Sequence, residues 1–123
     1  MSLKLMPQEL EVWYLLPSLR KEIAKTLVNE YELSQKKVAE IFGMTESAVS
    51  QYLKSKRANE LKFSNQELAE IKKYADKIMQ DKKNYHSHLF ELSKKMRGTK
   101  SLCELHKKRD SSLRKDCSLC HGN

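Results

Sequence analysis

The sequence predicts an all-α protein with a helix-turn-helix core, followed by a long helix or a helical hairpin and a small Cys/His tail. The 123 residues are 39% hydrophobic and 33% charged, a balance typical of amphipathic helices. The chain holds three glycines and two prolines, so residues that favour turns are scarce. Apolar side chains recur every three or four positions, which is the spacing of a helix and not of a strand.

The first 31 residues predict two helical segments. Pro7 can begin a helix, and Pro17 either kinks it or begins the next one, because proline lacks a backbone donor but fits a first helical turn. The second segment places a large side chain at every fourth position. We expect these side chains in the core: Leu19, Ile23, Leu27 and Tyr31.

The next stretch predicts two short helices joined by a tight turn. Ser34 can cap a helix that ends at Phe42, and Thr45 can cap a second helix that ends near Ser55. Gly43 permits a left-handed backbone at the corner between them. The side chains expected inside this corner are Val38, Ala39, Phe42, Met44, Val49 and Tyr52.

The outer face of the second helix, about residues 45–55, offers short polar side chains. A major groove of double-stranded DNA admits an α-helix, and a Gln such as Gln51 can bind adenine bidentately. The candidate base-reading residues are Thr45, Glu46, Ser47, Ser50, Gln51 and Lys54. The candidate phosphate-binding residues are Lys36, Lys37, Lys54, Lys56 and Arg57.

The charge of the chain agrees with a nucleic-acid partner. The formal net charge is +8 and the isoelectric point is near 9.4. A basic surface attracts polyanions and releases counterions from phosphates. The alternative is that Ala39 and Gly43 only shape a helical corner, since such corners recur without DNA binding. The chain would then be a helical interaction or adaptor protein, antitoxin-like, whose basic faces keep it in solution.

The segment Leu33–Arg57 resembles the Cro/phage-repressor (XRE) class of DNA-binding domains. More narrowly, Leu16-Pro-Ser-Leu-Arg20, Cys103-Glu-Leu-His106 and Cys117-Ser-Leu-Cys120 resemble a small, mostly archaeal group of XRE-type regulators. The resemblance spans most of the chain. It implies a transcription regulator that binds specific sequences of double-stranded DNA.

Two positions depart from that group. Its members often carry a further cysteine near the N-terminus and a CxxC pair before the CxxH. Here these regions read Pro7-Gln-Glu-Leu10 and Leu89-Phe-Glu-Leu-Ser93.

Residues 64–98 predict either one long helix or a hairpin that breaks near Asp81–Asn84. Ser64 and Glu67 form the pattern of a capping box. Beyond it the spacing alternates between three and four residues, which offers a dimer seam and predicts a homodimer, unless the stripe packs on the chain's own core. The residues of this stripe are Leu68, Ile71, Ala75, Ile78, Lys82, Tyr85, Leu89, Leu92 and Met96.

Residues 99–123 predict a basic tail that binds one metal ion. All three cysteines lie here, and the two spacings would form tight CxxH and CxxC knuckles. Three thiolates and one imidazole suit tetrahedral zinc, an iron-sulfur cluster is the alternative, and free thiols are the third interpretation. The candidate ligands are Cys103, His106, Cys117 and Cys120, with His121 able to replace His106.

Other functional classes find little support in the sequence. No phosphate-binding glycine loop or paired catalytic carboxylates occur, so we expect neither an enzyme nor a small-molecule substrate. The longest apolar run, Val12–Leu16, is far below the ~20 residues that cross a bilayer, so we expect no membrane partner and a cytoplasmic location. The expected domains are residues 1–63 for DNA binding, 64–98 for dimerisation and 99–123 for metal binding.

Overall fold

The structure is a computed structural model that describes residues 6–54, 61–97 and 99–109, without the side chains of Pro7, Lys100, His106, Lys108 and Arg109. Within these ranges the chain is all-helical, as predicted, and none of the helices there is long and apolar enough to span a membrane. The helices are α1 (Pro7–Leu10), α2 (Leu16–Asn29), α3 (Gln35–Phe42), α4 (Glu46–Lys54), α5 (Asn65–Gln80), α6 (Tyr85–Met96) and α7 (Lys100–Arg109).

A wide π-helical turn, Glu11–Leu15, joins α1 to α2 without a break. The backbone N–H of Leu16 donates to the carbonyl of Glu11, five residues earlier. Pro17 follows at once, and its ring nitrogen has no hydrogen to donate. The wide turn therefore takes up the irregularity that proline introduces, and α2 continues with regular geometry.

Helix α2 lies at the centre of the fold and contacts α3, α4, α5 and α6. Its predicted core residues Leu19, Ile23 and Leu27 are fully buried. Tyr31 was expected in the same stripe, and that prediction is wrong: α2 ends at Asn29, and Tyr31 is exposed. Its hydroxyl instead donates to the carboxylate of Asp76 on α5.

Helices α5 and α6 form a hairpin. Asp81 leaves helical geometry at φ −146° and ψ 64°, and a short 3₁₀ turn, Lys82–Asn84, leads into α6. The amide of Asn84 donates to both carboxylate oxygens of Asp81, at 3.0 and 2.9 Å. These bonds stabilise the reversal, so two helices and not one follow the capping box.

The predicted stripe of this hairpin faces the chain's own core. Ile71, Ala75 and Ile78 of α5 are buried, as are the large side chains at the stripe positions of α6. Leu68 and Lys82 are exposed. The apolar stripe is therefore already covered within one chain, and it does not offer the dimer seam that its spacing suggested.

The capping box begins α5 as predicted and also fixes α7. The Ser64 hydroxyl accepts from the Glu67 N–H at 3.2 Å, and Glu67 accepts from the Ser64 N–H at 2.7 Å. The Ser101 hydroxyl of α7 donates to the same carboxylate at 2.7 Å. Burial raises the pKa of Glu67, but the bonds from Ser101 and Ser64 outweigh it and hold that pKa below its usual value. Part of the expected tail thus belongs to the packed fold.

Candidate nucleic-acid interface

Helices α3 and α4 meet at a corner built from local backbone chemistry. The Ser34 hydroxyl accepts from the Lys37 N–H at 3.2 Å, and the Thr45 hydroxyl accepts from the Ala48 N–H at 3.1 Å. Gly43 adopts φ 67° and ψ 36°, in the left-handed region. This conformation lets the Met44 N–H donate to the Ala39 carbonyl at 3.0 Å, which closes α3.

The inner side of the corner is apolar. Val38, Ala39 and Phe42 of α3 are buried, and so is Val49 of α4. Met44 is half-buried and packs against the core, and Tyr52 is half-buried and accepts a hydrogen bond from Arg20 of α2. The residues expected inside this corner therefore lie on its inner side.

The outer side of α4 is polar and open to solvent. Ser50 is half-buried, and the other five candidate base-reading residues are exposed. Ser47, Gln51 and Lys54 form an exposed surface on the side of α4 opposite the buried Val49, and the exposed Thr45 and Glu46 extend this surface at the start of the helix. We call this surface the α4 outer face.

The candidate phosphate-binding lysines lie at two places around the corner. Lys36 and Lys37 are exposed in the first turn of α3, where Lys37 pairs with Glu40 at 3.7 Å. Lys54 is exposed at the end of α4. Lys56 and Arg57 lie outside the described residues. An exposed pair such as Lys37–Glu40 holds its partners weakly, so Lys37 stays able to contact a phosphate.

Arg20 of α2 makes a contact with α4 that sequence reasoning missed. Its Nη1 donates to the hydroxyl of Tyr52 at 3.2 Å, and its Nε donates to the hydroxyl of Tyr85 at 3.3 Å. The ring of Tyr85 stacks on Phe42, with 4.7 Å between centroids. Arg20 thus links the hairpin to α4. The sequence signal was a charged residue next to the buried Leu19, but its partners lie 32 and 65 positions away.

The first two candidate metal ligands lie within α7. Cys103 is half-buried with a free thiol, and His106 follows three positions later in the same helix. The predicted tight CxxH knuckle is therefore wrong, because the segment is helical; the spacing still places both residues on one side of α7. Cys117, Cys120 and the His106 side chain lie outside the described residues. Within the described ranges, no three His, Cys, Asp or Glu side chains cluster as metal ligands would.

Comparisons of the chain with protein-family models, with curated proteins and with solved structures found no match. The resemblance of Leu33–Arg57 to the XRE class therefore stays a prediction. The residues of the α3–α4 corner and their geometry are the evidence for a function.

We predict that Gly43→Ala destabilises the fold by about 1–2 kcal/mol, because a left-handed backbone costs an alanine roughly that much. No atom lies within 4 Å of the added Cβ, so the cost is conformational and not a clash. Gly43→Asn is the matched control and should lose less, since asparagine tolerates this region. Urea denaturation measures both variants. Equal free energies of unfolding for Gly43→Ala and the wild type would contradict the assigned backbone.

Proposed function

We propose that the protein is an XRE-type transcription regulator that binds specific sequences of double-stranded DNA, with α4 in the major groove. The observation that supports this most is the division of α4 into a buried inner side at Val49 and the polar α4 outer face. A helix-turn-helix needs this division, because the inner side must hold the helix while the other side meets base edges.

The side chains of the α4 outer face suit base recognition. Gln51 carries a donor and an acceptor that match the edge of adenine, and Thr45 and Ser47 can each donate or accept one hydrogen bond. All three are exposed, and the Thr45 hydroxyl, which accepts from the Ala48 N–H, still has its own hydrogen to donate. Base contacts therefore require no prior opening of the fold.

Positive charge supplies affinity that does not depend on sequence. The chain has a net charge of +8, and Lys36 and Lys37 are exposed in the first turn of α3, the helix that precedes α4. Each lysine that neutralises a phosphate releases a counterion, so binding should weaken steeply as salt rises. We propose a binding protein and not an enzyme.

A helical adaptor protein is the second candidate function. Two large apolar side chains favour it: Val12 is 60% exposed and Phe90 is 59% exposed. Phe90 borders an open groove together with Leu16 and Leu89. An apolar surface of this kind can serve a protein partner. In that case duplex DNA would bind weakly and without regard to sequence.

We predict that duplexes selected from a random library by the wild-type protein share a sequence that α4 reads. Gln51→Ala should relax one base position by about 1–3 kcal/mol. Lys36→Ala should weaken all duplexes alike and reduce the salt slope by about 1. Lys82→Ala, which removes an exposed lysine from the hairpin turn, is the control and should change neither quantity.

Fluorescence anisotropy with selected and scrambled duplexes measures these effects. Simultaneous alanine substitution of Thr45, Ser47, Ser50 and Gln51 is the decisive variant. If its base preference equals that of the wild type, α4 does not read DNA.

We also propose that two copies bind one operator, because a single recognition helix reads few bases. Since the hairpin stripe is buried within the chain, the two copies must meet through another surface. The selected duplex should then be an inverted repeat with half-site centres about 34–36 Å apart. Light scattering of the complex should give two 14.4-kDa chains per duplex. A single half-site bound by one chain would contradict the dimer.

We further propose that Cys103, His106, Cys117 and Cys120 bind a metal ion. Leu102 and Leu105 are buried and hold α7 against the core, so the helix that carries Cys103 would be held in place before the metal arrives. Zinc would supply structural cross-linking of the tail, whereas an iron-sulfur cluster would make it sensitive to oxidation.

We predict about one metal ion per chain in protein purified without oxygen, because four such ligands complete a closed zinc site. Elemental analysis and the absorption spectrum distinguish colourless zinc from a coloured cluster. Cys117→Ser should release the metal, whereas Ser118→Ala, the neighbouring control, should retain it. Fully reduced wild-type protein without bound transition metal would contradict the site.

A further inference from the structure

Arg20 joins three helices through polar contacts. It lies on α2 and donates from separate nitrogens to Tyr52 on α4, at 3.2 Å, and to Tyr85 on α6, at 3.3 Å. The guanidinium carbon also lies 5.6 Å from the centre of the Tyr52 ring. Tyr85 in turn stacks on Phe42, the last residue of α3. We call Arg20, Tyr52 and Tyr85 the arginine cluster.

The polar contacts of the arginine cluster add to a small set of core contacts that hold α4. Val49 of α4 is fully buried and Leu53 is half-buried against the core, whereas α2 buries five residues. Burial of apolar surface is non-directional, so these two side chains set which side of α4 faces the core without fixing its rotation narrowly. Hydrogen bonds have narrow limits of distance and angle, and Arg20 supplies one at Tyr52.

The cluster is a costly way to gain stability alone. Burial lowers the pKa of Arg20, but the hydrogen bonds to Tyr85 and Tyr52 outweigh this and raise it, so the guanidinium stays charged. Burial raises the pKa of Tyr85 despite the bond from Arg20, so this phenol stays neutral. Arg20 is half-buried, and a charge partly withdrawn from water beside neutral phenols gains less stability than an apolar side chain of the same size would. The arginine cluster instead supplies a defined geometry between α2, α4 and α6.

Small rotations of α4 would matter for reading bases. The side chains of a helix end about 5–6 Å from its axis, so a rotation of roughly 10° moves their tips by about 1 Å. A hydrogen bond to a base edge tolerates less than that. Tyr52 directly follows Gln51 in the sequence, so a contact that holds Tyr52 also sets where Gln51 points.

We propose that Arg20 is a positioning residue for DNA recognition: with Tyr52 and Tyr85 it fixes the rotation of α4 against α2 and the hairpin. This inference rests on the proposed function of α4. Arg20 would thus contribute to sequence specificity without touching DNA, because it lies on α2 and donates to Tyr52 on the inner side of α4.

The test compares variants of the full-length protein on selected and scrambled duplexes. Arg20→Met keeps an unbranched side chain without donors, and Arg20→Lys keeps the charge but offers one ammonium that cannot serve two hydroxyls as the arginine fork does. Both should lower the ratio of specific to non-specific affinity by about 10-fold, the effect of one good base contact. Lys25→Met, which removes an exposed charge from the same helix, should leave that ratio unchanged.

A purely structural role would lower stability but not this ratio. Tyr85→Phe and Tyr52→Phe remove one hydroxyl each and keep the rings, so they should fold even if Arg20→Met does not. Each should lower the ratio and leave the melting temperature within about 5 °C of the wild type. An Arg20→Lys protein with the wild-type ratio, or folded Tyr→Phe variants with that ratio, would overturn the proposal.

Hydrogen exchange separates this inference from the proposed function. In the absence of DNA, the amides of α4 should exchange faster in Arg20→Met than in Lys25→Met, while those of α5 should not. If the wild type prefers no duplex sequence but α4 still loosens in this way, the DNA function is wrong and the positioning of α4 by Arg20 stands. Unchanged exchange in α4 of a folded Arg20→Met protein would refute the positioning role.

Discussion

The rest of the fold depends on the burial of α2. Its apolar stripe at Leu19, Ile23 and Leu27 is fully covered, and α3, α4, α5 and α6 all contact it. Each such side chain contributes about 1.5–3 kcal/mol when it leaves water. The surrounding helices all place buried apolar side chains in the core that they share with α2. The wide turn before Pro17 matters for the same reason, since it lets α2 begin without a kink that would tilt the stripe.

Sequence reasoning succeeded where a few adjacent residues decide the structure. The caps at Ser34 and Ser64 and the corner at Gly43 depend on hydrogen bonds and dihedral angles within five residues. The residue types at these positions therefore predict them. The all-helical class followed from spacing in the same way. The inner and outer sides of α4 could also be predicted, because Val49 fixes the phase of that helix.

Sequence reasoning was wrong or left alternatives open where contacts between distant residues decide the structure. The spacing of the hairpin stripe fits a dimer seam and a packed hairpin equally well, and the choice depends on whether α2 is there to cover it. Tyr31 continued the period of α2 but lies past the end of the helix. The CxxH spacing likewise fits a knuckle or a helix, and burial of Leu102 and Leu105 favours the helix. Arg20 could not be assigned, since its partners come from other helices.

One side of α2 packs in the core, and Arg20 on another side contacts α4 of the candidate interface. Five buried residues fix the rotation of α2, so the direction in which Arg20 points is set by the core and not by its own partners. Tyr85 is buried too and moves with the hairpin. Helix α4 has fewer core contacts, with Val49 fully buried and Leu53 half-buried, so we expect it to move more readily than α2 when Arg20 or Tyr85 is displaced. A change in the hairpin that moves Tyr85 would therefore reach α4 through Arg20 before it disturbed α2, because directional contacts respond to small displacements that apolar packing tolerates.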